Sequence, residues 1–163
     1  MNREARITYL NRVLAATSNS LLQYISVATP YVPPECEDQM EEVTRLIDEE
    51  AQQVARIVDL IEERDGVPSA GIFPFWNVDL NYLDFRFLAR FAAQKQGEIV
   101  DGLERDLDNL RGDPDAFTAV GEILKEKRAH LDVLRSFAGM DQPEPEAAAE
   151  EAPAEAPAEP AGE

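Results

Sequence analysis

The chain has 163 residues, 44% of them hydrophobic, and a net charge of −18 from 33 acidic against 15 basic residues. That length supports one core, and the charge disfavours nucleic acid and anionic membranes, because no cluster of lysine and arginine is present to displace counterions from phosphate. No run approaches the roughly 18–20 apolar residues that span a bilayer, and MNREARITYLNRVL lacks the apolar core of a signal peptide, so a cytoplasmic protein is expected.

Helical periodicity first runs from Arg3 to Ala28, with apolar or small residues at Ile7, Leu10, Leu14, Leu21, Tyr24 and Ala28. Thr29-Pro30 stops it, since proline disfavours helix in the residue before it. The short connection TPYVPPEC suits an antiparallel turn, with Pro33 and Pro34 near the next helix start. Cys36 is the single cysteine, which excludes an intrachain disulfide or thiolate cluster and leaves a loop thiol beside a helix.

A second helix is predicted over Glu35–Arg64, its seam formed by Met40, Val43, Ile47, Val54, Ile57 and Ile61. Asp65-Gly66-Val67-Pro68 ends it, with Gly66 expected as the left-handed cap. SAGIFPFWNVDLN follows as a packed crossover without clear periodicity. Two readings of Ile72, Phe73, Phe75 and Trp76 are open: they cap the core, or they form a surface patch that implies a dimer or partner site.

The third helix is expected from Asp79 to Leu110, carrying Leu80, Leu83, Phe87, Leu88, Phe91, Ile99, Leu103, Leu107 and Leu110. Gly112-Asp113-Pro114 then supplies a stop, an N-cap and a first-turn proline in succession. The fourth helix runs to Ala138, with Phe117, Val120, Leu124, Leu131, Leu134 and Ala138 on its seam. Eight of the acids lie in Asp141–Glu163, which has no basic residue and is otherwise mostly alanine and proline. That tail is expected to be disordered, because it cannot bury enough apolar surface to offset its chain entropy.

The expectation is therefore an all-α domain over residues 1–140, a four-helix bundle followed by a disordered acidic tail at 141–163. Short links at either side of a long central one favour two antiparallel hairpins joined by a crossover, with a plain up-and-down bundle as the alternative.

Each seam is interrupted near its middle by a polar residue: Thr17 in helix one, Glu50 in helix two, Lys127 in helix four. In helix three Gln94 or Lys95 is the corresponding candidate. Midpoints of antiparallel helices share one height, so these residues are expected in one layer, and a core glutamate needs a partner. A buried or half-buried Glu50–Lys127 ion pair is predicted; the competing reading puts both side chains at the seam edge, reaching solvent.

The same positions carry a resemblance to the ferritin-like superfamily of bacterioferritin and rubrerythrin type. Gln23-Tyr24 resembles a pair in the family's first helix, but Thr17 stands six residues earlier, where a ligand glutamate belongs. Glu50-Ala51-Gln52-Gln53 is similar to Glu-x-x-His with Gln53 replacing the histidine, and Lys127-Arg128-Ala129-His130-Leu131-Asp132 is similar to Glu-x-x-His-hydrophobic-Asp with Lys127 replacing the glutamate. The resemblance implies a bundle with a degenerate di-iron site, since such sites take about six donors and only Glu50 and His130 remain. An independent count agrees, because Ala5 to Pro34 contains no Asp, Glu or His.

His130, the single histidine, reads either as a structural residue or as a ligand in a mononuclear site with Glu50 and Glu49. No Walker or dinucleotide pattern occurs, and Ser18 and Ser20 have no recognisable triad partners. The expected function is a non-catalytic structural or interaction module that needs no cofactor and engages a protein partner or itself. The alternatives are an atypical iron-handling or oxidase protein, and a helical adaptor unrelated to ferritins.

Overall fold

The computed structural model describes residues 2–25, 27–28, 30–72 and 82–138. Helix α1 spans Arg3–Ser18 and α2 spans Leu21–Ile25; a single 3-10 turn at Pro34–Cys36 leads into α3, Glu37–Glu62. Helix α4 spans Phe85–Asp106 and tightens into a 3-10 turn at Leu107–Leu110, and α5 spans Pro114–Ala138. The described chain is all-helical, its one non-helical pairing being a bridge between Tyr31 and Asp84. None of the described helices is long and apolar enough to cross a membrane.

Helix α1 packs chiefly on α3 and α4 on α5, while α2 reaches both α3 and α4. The shared core takes Leu10 and Leu14 from α1, Leu46, Ile57 and Ile61 from α3, Leu88 and Val100 from α4, and Val120, Ile123 and Leu134 from α5. These are the three-and-four spacings of amphipathic helices, each burying one stripe. The α4–α5 corner follows its punctuation: Asp113 Oδ1 accepts from the Ala116 amide at 3.2 Å, capping a helix whose first residue is Pro114.

Four local expectations are corrected. Helix one is not continuous to Ala28, because the chain breaks at Asn19–Ser20 and restarts at Leu21. Two hydroxyls engage the local backbone around this break: Thr17 Oγ1 donates to Val13 O at 2.9 Å, and Ser20 Oγ accepts from the Gln23 amide at 3.2 Å as the cap of a new helix. The third helix starts at Phe85, not Asp79, since the Asp84 carboxylate caps it through the amides of Arg86 (2.9 Å) and Phe87 (3.3 Å). Its start also turns Phe87 to solvent, 51% exposed, off the predicted seam. Cys36 is buried in the 3-10 turn instead of being a loop thiol.

The fourth correction concerns the end of α3. The left-handed residue there is Asp65, at φ 50°, and not Gly66. Asp65 N donates to Glu62 O at 2.8 Å and Gly66 N to Ile61 O at 2.9 Å, the paired bonds of a Schellman end. Gly66 is required by packing: a Cβ there would lie 2.8 Å from Ile61 Cγ2 and 2.9 Å from Ile7 Cγ2. Gly66→Ala is expected to destabilise by about 1–3 kcal/mol in urea unfolding, the usual cost of an overpacked site.

The crossover after this end is tied to α1. Asn11 Nδ2 donates to Val67 O at 3.1 Å and its Oδ1 accepts from Ser69 N at 2.7 Å, while Asn19 Nδ2 donates to Ala70 O at 2.5 Å. Ile72 is 82% exposed. Phe73, Phe75, Trp76, Asp79, Leu80 and the 141–163 tail lie outside the described residues.

Candidate functional site

Glu50 and Lys127 meet in the core. Lys127 Nζ donates to Glu50 Oε1 at 2.6 Å, and neither side chain has any solvent exposure. The pair joins α3 to α5, so neither residue snorkels to an edge. The other carboxylate oxygen, Oε2, accepts from Ser20 Oγ and, at 3.3 Å, from Gln23 Nε2, which also donates to Ile47 O at 3.1 Å. Glu50 thus receives three donors, one from α5 and two from the start of α2, the condition under which a buried carboxylate is tolerable.

Thr17 is fully buried but turns away from the pair, its Oγ1 donating to Val13 O one turn back at 2.9 Å. Ser20 and Gln23 reach Glu50 in its place, because the break at Asn19–Ser20 re-aims the segment. A signal for this was present: Ser20 followed three residues later by Gln23 is the spacing of a capping box, within a run of poor helix formers.

On α4 the buried polar residue is Gln96, 2% exposed, whose Nε2 has no hydrogen-bond partner. Gln94 is exposed, and Lys95 pairs with Glu98 at 2.9 Å at the surface, so neither expected candidate enters the core. Gln53 is buried on α3, donating from Nε2 to Glu126 Oε2 at 3.0 Å, with Oε1 unpartnered. Glu126 also takes Arg56, which draws this amide toward the α3–α5 edge.

His130 is 2% exposed and its Nε2 lies 2.9 Å from Glu49 Oε2, while Nδ1 has no partner. Glu49 additionally binds Arg45, one turn away on α3. Successive helical residues point about 100° apart, so Glu49 faces the α3–α5 edge while Glu50 faces inward to Lys127. Glu49, Glu50 and His130 therefore do not close into one ligand set. Among the described residues no group of three or more His, Cys, Asp or Glu side chains is arranged to hold a metal ion.

The donor set consequently does not fit an iron centre. The ammonium of Lys127 lies directly beside the Glu50 carboxylate, and the two charges neutralise each other. Comparison of the chain with protein-family models, with curated proteins and with solved structures gives no match.

Proposed function

We infer that the chain is a non-catalytic ferritin-like four-helix bundle, two antiparallel hairpins joined by a crossover, whose metal site has become an ion pair. The observation that carries this reading is the fully buried Lys127–Glu50 contact, with Ser20 and Gln23 completing the shell of the carboxylate. A lysine at that place neutralises the one carboxylate that remains there, a part that a bound cation would otherwise play. The pairing of α1 with α3 and of α4 with α5 supports the hairpin arrangement. The role that follows is a cytoplasmic structural or interaction module, its surfaces and acidic tail serving a protein partner or a second copy.

Native mass spectrometry after aerobic loading with ferrous iron tests the reading. The expected spectrum is that of the metal-free chain or its oligomer. More than about one tightly held iron per chain, or rapid oxidation of ferrous iron, overturns it in favour of an atypical iron-handling protein.

A further inference from the structure

A groove of about 470 Å³ runs between α1 and α4, and neither Glu50 nor Lys127 lines it. Its floor is apolar, built from Val13, Ala16, Ile99, Gly102 and Leu103, and its volume falls within the range of small-molecule sites, about 300–1,000 Å³. Tyr9 lines the same groove. It is 5% exposed, and its hydroxyl is shielded from solvent and hydrogen-bonded to nothing. A buried hydroxyl without a partner is a standing cost, and such costs are retained where a ligand relieves them.

We propose that this groove binds a neutral amphiphile, an apolar ring system bearing one carbonyl, whose oxygen accepts a hydrogen bond from Tyr9. The choice of a carbonyl rests on the proton of Tyr9. Burial first, and the neighbouring Asp106 carboxylate second, push the phenol up to about 12, so the hydroxyl remains a donor. The choice of a neutral ligand rests on the rim, where Asp106 and Glu98 oppose an anion and Arg12 and Arg105 oppose a cation.

Entry is guarded by Arg12. Its Nη2 bonds Asp106 Oδ2 at 2.6 Å across the groove, and its guanidinium lies 5.6 Å from the centroid of the Tyr9 ring. Arg12 is 63% exposed against 25% for Asp106, so the arginine is the member that swings aside. Gly102 offers a way to fill the site without disturbing the fold, because a Cβ there would meet nothing closer than Arg105 Nη2 at 3.8 Å.

The test uses 6-propionyl-2-dimethylaminonaphthalene, a neutral fluorescent ketone, titrated with the full-length protein. Saturable binding with blue-shifted emission is expected, weakened about two- to tenfold in Tyr9→Phe, as loss of one neutral hydrogen bond dictates, and abolished in Gly102→Phe. Without ligand, Tyr9→Phe is expected to raise the melting temperature by about 2–4 °C, because it deletes an unpartnered buried hydroxyl. A lower or unchanged melting temperature would mean that the hydroxyl already has a partner, which overturns the proposal. So does equal binding by either variant and the wild type. Absence of saturable binding, together with a dimer that Gly102→Phe dissociates, would assign the groove to a second copy and overturn it as well.

Discussion

Lys127→Met is expected to lower stability by about 3–5 kcal/mol in urea unfolding, the usual cost of removing one member of a buried ion pair. The methionine fills much of the lysine's volume, so the loss is electrostatic. Glu50 would remain wholly buried with Ser20 and Gln23 as donors but without its countercharge. Glu50→Gln is expected to cost a similar amount for the mirror reason, leaving an ammonium in the core with no carboxylate. The double variant Glu50→Gln/Lys127→Met should return to within about 1 kcal/mol of wild type, since both charges are gone and the glutamine oxygen still accepts from Ser20. Single variants costing less than about 1 kcal/mol would show that the pair is hydrated in solution. The reading of Lys127 as a built-in replacement for metal charge would then lose its support.

Asp113→Ala is expected to cost about 2–3 kcal/mol, by two losses at one residue. The carboxylate caps α5 through the Ala116 amide and is bound at both oxygens by Arg64, each at 2.7 Å. Both side chains are largely sheltered, 12% and 15% exposed, and Arg64 Nη1 also closes the end of α3 by donating to Leu60 O at 2.7 Å. The Arg64 hydrogen bonds, working against burial, hold the Asp113 carboxyl below its usual range. A depressed folded-state value means a stabilisation present above the ordinary aspartate range and lost as pH falls through the lower, folded value. Thermal melts of wild type and Asp113→Asn from about pH 6 down to pH 2 check this. The gap between them should be widest at the upper end and close below pH 4; a gap independent of pH would leave only the capping role.

The ion pair was legible in the sequence because an unbroken three-and-four seam has room for only one kind of exception. Glu50 and Lys127 each sit where leucine or isoleucine would otherwise stand, and antiparallel packing brings helix midpoints to one height. The α4–α5 corner was legible for a different reason, since Gly112-Asp113-Pro114 states its stop, cap and restart within three neighbouring residues. Gln96 is hard to read from the sequence because Phe87 and Phe91 dominate the apolar pattern of helix three. Bulk suggested burial of both, whereas α4 packs with Leu88, Ala92 and Gln96 inward, leaving Phe91 partly buried and Phe87 in water.

The helical character of the described chain and most of its helix ends are readable in the sequence, which also singled out Glu50 and Lys127 as a pair while leaving open whether they lie in the core or at its edge. These follow from local chemistry and from a periodicity that any helix must obey. Which neighbours complete the pair depends on how the helices pack. Thr17 and Ser20 are both small hydroxyl residues of the same segment, and the backbone break between them selects Ser20. In the same way Glu49 and Glu50 are adjacent acids, and the rotation of α3 against α5 sends one to His130 and the other to Lys127. Such choices depend on angles between packed helices, to which hundreds of weak contacts contribute and which no short stretch of sequence encodes.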